Sequence, residues 1–597
     1  MPIYKAPVEE TLFLLNDVLG ISHHANLPGF ADATPDLLEA VLTEGARFAE
    51  EVLLPLNQIG DNEGCTRNAD GSVTTPAGFK DAFKAFAEGG WIGLASESDY
   101  GGQDLPYALA AAINEFVTSA NMAFGMYPGL SQGAVAALSL HGDEAQKLLY
   151  LPKLISGEWT GTMNLTEPQA GTDLGLIRTR ATPNTEGSFA ITGSKIFISS
   201  GEHDLTPNII HLVLARIDDA PEGTKGLSLF VVPKFLPDAD GEVGERNLVE
   251  CGALEKKMGI HGNATCVMNF DGATGWLVGE RDKGLRAMFT MMNEARIGVA
   301  IQGLALSEVA AQNAVVYARE RRQGRAISGA KDKSEAADPI IVHPDIRRAL
   351  ISMRGFNIAA RALMLSAALA ADIAYRSPDE EQRQTADDRL GLLTPVIKGV
   401  LTDRGFDNAV AAQQVYGGHG YITETGMEQF VRDARIAMIY EGANGVQGLD
   451  LVGRKLPKDG GRAVMAYFKE VEGFVKENDG DEALAPFVTP LKAGLDDLQK
   501  ATMWFMQNAL AKPDNAGAGA TDYMHLFGLV AIGHMWGLIA ATANRLIDAG
   551  DERADRLKEV LMIGGAYVER AMPETALRLA RISAGSDALM AVPEGGF

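Results

Sequence analysis

The order in which hydrophobic periodicity changes along the chain constrains its fold more than any other feature. A helical spacing, with Leu38, Val41, Leu42, Phe48, Ala49 and Val52 on one stripe ahead of Pro55, sets the character to about residue 157. β-branched runs follow at 187–199, 209–217, 227–232, 267–270 and 275–278, and the first of these predicts two strands around a Gly193-Ser194 turn. The helical period returns near Gly284 and persists through 285–294, 297–320, 344–375, 395–415, 461–470, 487–508, 523–546 and 554–571, with a polar loop at 325–338. Such segregation is unlike the alternating β-α-β order of a dinucleotide-binding sheet. The expected class is α+β, mainly α. At roughly 100–200 residues per domain, 597 residues suit three to five units. The pattern divides them into an arm (1–35), a helical domain (36–158), a middle β domain (159–282), a helical bundle (283–455) and an additional helical domain (456–597).

Charge and cysteine usage exclude several functions. With 53 basic and 78 acidic residues the net charge is −25, which repels phosphate backbones, so no nucleic-acid partner is expected. Cys65, Cys251 and Cys266 lie far apart with no CxxC pair, which fits a reducing cytoplasm. The first residues lack the charged-then-apolar pattern of a secretory leader. Ten scattered histidines form no HExxH or Cys/His ladder, so no metal site is expected. The run 524–543 carries no charge and is long enough to span a bilayer, but His525, His534 and the preceding Asp522 favour a buried core helix.

Five glycine-rich segments are candidates for chemistry. Gly129-Leu130-Ser131-Gln132-Gly133 matches the GxSxG nucleophile elbow, but no apolar strand precedes it. The segment 166–173 (TEPQAGTD) offers short hydroxyls and backbone N–H groups, suited to a polar ring edge or equally to a capped turn. Phe197 and Ser199 share a strand face by their spacing, and could stack on and hydrogen-bond a flat ligand. The segment 414–421 (QVYGGHGY) places three glycines within four residues after a helix. The segment 439–447 (IYEGANGVQ) sets one carboxylate, Glu441, among small and apolar neighbours. Burial there would raise its pKa toward that of a general base.

Taken together, NLTEPQAGTD, GSKIFISSGEHD and QVYGGHGYITETGMEQFVRDARIAMIYEGANGVQ closely resemble the acyl-CoA dehydrogenase family of flavoenzymes, over about Asp36 to Arg454. The resemblance implies FAD as cofactor and an acyl-CoA thioester as substrate, oxidised to the trans-2-enoyl-CoA. Glu441 would remove the α-proton while flavin N5 takes a β-hydride. Met163, Leu165, Thr166, Gly171 and Thr172 would line the flavin, with Thr172 also near the CoA moiety. Phe197 stands for the family's tryptophan and Ser199 for its threonine, with Ile198 between them. Arg321, Arg322 and Gln323 would hold the FAD diphosphate, and Gln414, Gly417 and Gly418 the adenosine, both from a neighbouring subunit. A homodimer or a dimer of dimers follows. Ala443 replaces the family's threonine beside Asn444, and Asn293, Arg296 and Gly442 fall at substrate positions. Electron-transferring flavoprotein is the implied electron acceptor. The arm and the tail beyond 456 resemble long bacterial members, among them those acting on 3-methylmercaptopropionyl-CoA and on fatty acyl-CoA. Two variants stay open: an oxidase passing electrons to oxygen, and a DNA-associated branch that would need a basic C-terminal face.

Overall fold

Where the sequence turns β-branched, the chain builds a sheet that closes on itself. The strands run in the order Val249–Leu254, Thr265–Val278, Phe189–Ser199, Arg180–Pro183, Asn208–Ile217, Trp159–Asn164. Ser228–Pro233 pairs with both Thr265–Val278 and Asn208–Ile217, completing a five-stranded ring. The computed structural model describes residues 2–184 and 187–597. Met1, at the head of the expected arm, and Thr185-Glu186, inside the middle domain, lie outside the described residues.

Two sequence expectations change here. Residues 187–199 do not turn at Gly193-Ser194: Phe189–Ser199 is one eleven-residue strand. Gly193 is required by close approach, since a Cβ there would lie 2.6 Å from Thr179 Oγ1 and 2.9 Å from its Cα. Likewise 267–270 and 275–278 belong to one strand, Thr265–Val278, with a register shift between Asp271 and Ala273.

The chain divides into two units, Leu42–Gly298 and Met1–Val41 joined with Val299–Phe597. In the first, Phe79, Phe83 and Phe86 pack edge-on or tilted against Phe124. The Tyr127 hydroxyl accepts from the Ala264 N–H and donates to the Gly262 carbonyl, both at 3.2 Å. Gly129–Gly133 lies inside the helix Met122–His141, not at a strand-to-helix turn. Ser131 is fully buried and accepts the Gly161 N–H at 3.0 Å, so the nucleophile-elbow geometry is absent.

In the second unit the expected arm is pinned rather than loose. Ile3 N–H donates to Asn313 Oδ1 at 2.9 Å, and buried Glu10 pairs with Arg354 and Arg361. The helices run longer than the periodicity suggested: Gly284–Glu320 is continuous, and Glu380–Val415 carries Pro395 in its interior. Asp379 caps that helix sixteen residues ahead of the proline, and the Thr394 hydroxyl bonds the Leu390 carbonyl at 2.7 Å in the turn where Pro395 lacks an N–H. The 325–338 segment folds around Asp338, which accepts from the N–H groups of Ala326, Lys331 and Asp332. Among the described residues three helices, Gly284–Glu320, Pro344–Arg376 and Asp514–Asp548, are long and apolar enough to cross a membrane by length and composition. The most apolar window of each is 72% to 83% buried within the protein, so packing accounts for the run at 524–543.

Candidate active site

The β unit supplies an exposed aromatic beside a rigid loop. Opposite Cys266 and Met268, the strand Phe189–Ser199 carries one extra residue, a bulge at which Phe197 takes φ +59°. Alternation breaks there: Lys195 is fully buried, whereas Phe197 is 60% exposed. A left-handed backbone costs a non-glycine residue about 1–2 kcal/mol, and an exposed phenyl ring recovers none of it by burial. This combination of strain and exposure points to a ligand-facing ring. Ile198 is buried and Ser199 half-buried.

Behind this surface, Glu167 locks the loop that follows the strand Trp159–Asn164. Its carboxylate accepts from Lys195 Nζ (2.8 Å), the Thr179 N–H (3.0 Å) and hydroxyl (2.6 Å), the Arg178 N–H (2.8 Å) and Gln169 Nε2 (2.6 Å). Lys195 also donates to the Leu165 carbonyl at 3.0 Å, and the Ile196 N–H donates to the Thr166 carbonyl at 2.9 Å. Burial opposes the Glu167 charge, but the ammonium and the other donors override it and hold the carboxyl down at about 2. Burial pushes Lys195 down to about 8, because the cost of desolvating the ammonium outweighs the opposing pull of Glu167 beside it. Thr166 and Met163 are half-buried, Leu165 is buried, and Gly171 and Thr172 are exposed. Asn293 is exposed. Arg296 is buried, its guanidinium 5.9 Å from the Phe289 ring centre.

The helical unit holds Glu441 on a short loop between the helices Met427–Ala437 and Asn444–Asp450. Glu441 is half-buried, with φ +55°, and Gly442 follows with φ +82°. Two consecutive left-handed residues turn the chain sharply, and donors hold that turn. Gln447 Nε2 reaches the Glu441 and Gly442 carbonyls at 3.0 and 3.1 Å, and Lys398 Nζ reaches the Gly442 carbonyl at 2.8 Å. Tyr440 donates its hydroxyl to Gln302, and burial together with the Glu441 charge pushes that phenol well up. Asn444 is buried and its amide faces inward, onto Lys398, Gly399, Thr402 and Asp403. Ala443 caps the following helix without a side-chain acceptor.

A second cluster forms at one end of the same unit. Tyr317 and Tyr416 stack with ring centres 4.1 Å apart, and the Tyr317 hydroxyl meets His419 Nδ1 at 2.8 Å. This brings 321–323, after the helix Gly284–Glu320, to the same end as 414–418, which spans the last residues of Glu380–Val415 and the turn beyond it. Arg321, Gln323, Gln414, Gly417 and Gly418 are exposed there, Gly417 at φ +57°. A Cβ on either glycine would meet nothing, so this backbone is open to a ligand. Arg322 turns back to Asp332 at 2.8 Å.

Lys195, Lys398, Gln447 and Asp403 are the residues that sequence reasoning missed. Lys398, a lone cation in TPVIKGVL, was the available signal. Among the described residues no group of three or more His, Cys, Asp or Glu could hold a metal ion.

An open aromatic beside a locked loop, a carboxylate on a fixed turn and a glycine cradle at a helix end are the features the family match explains. Models for the acyl-CoA dehydrogenase N-terminal, middle and C-terminal domains match residues 38–158, 162–273 and 282–456, and one described as acetyl-CoA dehydrogenase C-terminal like matches 467–593. The chain belongs to the acyl-CoA dehydrogenase family, and is an oxidoreductase acting on acyl-CoA with FAD as cofactor. It is 41% identical to the 3-methylmercaptopropionyl-CoA dehydrogenase of Ruegeria pomeroyi over 98% of this chain and 99% of that one. It is 35% identical to the broad-specificity linear acyl-CoA dehydrogenase FadE5 of Mycobacterium tuberculosis over 93% of each. An acyl-CoA dehydrogenase from Bacillus anthracis, solved in complex with FAD, shares the fold at a TM-score of 0.73 and 21% identity, over 95% of this chain and 90% of that one.

Proposed function

We propose that the chain oxidises the α,β bond of 3-methylmercaptopropionyl-CoA to methylthioacryloyl-CoA, with Glu441 as the base. The observation that carries the substrate is the 41% identity to the Ruegeria pomeroyi enzyme, which runs through the C-terminal domain as well as the core. Bound FAD would supply the two-electron acceptor for the hydrogen that leaves the β-carbon as hydride. The residues suited to hold it are Thr166, Gly171, Phe197 and Ser199 in the β unit. At the helix-end cradle, Arg321, Gln323, Gln414, Gly417 and Gly418 would serve the site of a neighbouring copy, which makes the working form a homodimer or a dimer of dimers.

The protein's part is to place one base and to polarise one carbonyl. A thioester α-proton is weakly acidic, so the oxygen of the thioester needs a donor where charge develops. The Glu441 N–H is the donor we assign, because its neighbours fix the backbone at Glu441 and Gly442. The carboxylate of the same residue then takes the α-proton as the C–C double bond forms and the β C–H bond breaks. Electron-transferring flavoprotein is the proposed partner for reoxidation, in a reducing cytoplasm where the three free cysteines stay unpaired.

The second reading is a linear fatty acyl-CoA substrate, which the 35% identity to the Mycobacterium tuberculosis enzyme favours. A panel of 3-methylmercaptopropionyl-, butanoyl- and octanoyl-CoA with an artificial electron acceptor separates the two. The first should give the highest kcat/KM, and a preference for octanoyl-CoA would hand the assignment to the second reading. In the same assay Glu441→Gln should keep its yellow flavin and lose at least ~10²-fold in turnover, as removal of a general base does.

A further inference from the structure

The family resemblance gives no task to the last 140 or so residues, yet their longest helix packs on the two helices that flank and hold the base loop. Asp514–Asp548 packs so closely on Glu380–Val415 that a Cβ on Gly399 would fall 2.2 Å from Met524 Sδ, and one on Gly528 2.5 Å from Val400 Cγ2. The glycines permit that approach, and it delivers His525, buried, to Asp403. His525 Nε2 lies 2.8 Å from Asp403 Oδ2. The other oxygen, Oδ1, accepts Asn444 Nδ2 at 2.6 Å. Asn444 Oδ1 accepts Lys398 Nζ at 2.8 Å, and Lys398 donates to the Gly442 carbonyl at 2.8 Å.

We propose that His525 is a positioning residue: the additional domain orders the catalytic loop through the chain His525, Asp403, Asn444, Lys398, Gly442. This rests on the reading of Glu441 as the base. Each link fixes the next. A carboxylate held on one oxygen by His525 presents the other in a set plane. That plane, together with the Gly399 carbonyl, sets which way the Asn444 amide faces, because only its NH₂ side can donate to these oxygens. The amide oxygen is thereby turned to Lys398, and the ammonium is placed under the Gly442 carbonyl, one residue from the base. Supporting shells of this kind fix the orientation of reacting groups without touching substrate.

The test uses the full-length holoenzyme with His525→Leu, which keeps apolar bulk, and His525→Gln, whose amide can still donate to Asp403. His525→Leu should lower kcat roughly 10-fold or more with KM little changed, since a small misplacement of a reacting group costs on that order. His525→Gln should restore most of the loss. Independently of activity, amide hydrogen exchange in a peptide covering 438–447 should speed up in His525→Leu, with exchange in the β unit unchanged. A folded His525→Leu with wild-type kcat and wild-type exchange at 438–447 overturns the proposal, as does a His525→Gln no better than the leucine variant. If His525→Leu does not fold, Asp403→Asn is read by the same two measurements, with the same outcomes deciding. Should Glu441→Gln keep its activity, the base assignment fails instead, and hydrogen exchange alone decides whether the chain orders the loop.

Discussion

Two glutamates from the motifs that carry the family resemblance have opposite surroundings. Glu167, in the β unit, is buried and accepts five hydrogen bonds at its carboxylate. At Glu441, in the helical unit, the donors Gln447 and Lys398 go to the carbonyls of Glu441 and Gly442 and fix the backbone. The first arrangement stabilises a charge by surrounding it. A carboxylate so satisfied is a poor base, because protonating it discharges a group that a buried cation and four further donors stabilise. The second fixes where a side chain starts while leaving it half-buried, which suits a group that must gain and lose a proton. Position in a motif therefore does not tell an anchor from a catalyst; the destination of the neighbouring donors does.

The largest expected effect breaks the anchor. Lys195→Met leaves Glu167 charged and buried without its cation, and should cost about 3–5 kcal/mol in denaturant unfolding, as loss of one partner of a buried pair does. Acid acts on the same group. Its folded pKa lies below the unfolded value, so its contribution is complete above about pH 5. It fades as the pH falls from 4.5 toward about 2. Thermal unfolding followed between pH 6 and 3 should show the decline in wild type and a shallower one in Lys195→Met. Equal slopes would mean that the lysine is not what holds the carboxyl down.

Exchanging the experiment between the two sites comes next in size. Glu441→Gln should remove at least ~10²-fold of turnover at wild-type stability. Glu167→Gln should do the reverse, lowering stability and flavin retention together, with whatever holoenzyme remains turning over near the wild-type rate. Normal stability in Glu167→Gln would erase the distinction between anchor and base.

How much of this was legible in the sequence follows from the range of the forces involved. Helices and the segregated β unit announce themselves through local periodicity, and the Glu441 segment through composition. Phe197 was found, but not its reason. Strand parity alone puts it on the face of Lys195, and only the bulge against Thr265–Val278, a contact some seventy residues away in sequence, sends the lysine inward and the ring outward. The Gly193 turn was misread for the same cause: the Thr179 backbone that forbids a side chain there is not a sequence neighbour. Asn444 was expected at the cofactor, and its inward amide was invisible until Asp403 and Lys398 were brought to it by one long helix. Its side chain is engaged within the protein, so any contact it makes with FAD would come from its backbone.

Phe197→Gly sharpens the contrast on the flavin side. Glycine accepts φ +59° without strain, and a ring 60% exposed contributes little packing, so stability should hold or rise slightly. FAD should nevertheless bind more weakly, by a factor of about 2–10, corresponding to the roughly 0.5–1.5 kcal/mol of an aromatic contact. Flavin release measured by fluorescence reads this directly. An unchanged affinity would show that the strained ring faces something other than the flavin.

The smallest effect tests whether a fixed backbone is enough at Glu441. Ala443 stands at the N-cap of Asn444–Asp450 with φ −52° and ψ 152°, an extended backbone that suits a capping serine. Ala443→Ser would let a hydroxyl accept from the N–H groups of the first turn, adding about 0.5–1 kcal/mol to local stability. Hydrogen exchange in 444–450 should slow accordingly. If Gln447 and Lys398 already hold the turn, kcat should not move, because the cap tightens a loop that is in place. A rise in kcat would mean that the wild-type loop samples misplaced positions, so that the additional domain's hold on it is incomplete. Tighter flavin binding in Ala443→Ser without slower exchange would assign the new hydroxyl to the cofactor instead, and would make the alanine a lost flavin contact rather than a missing cap.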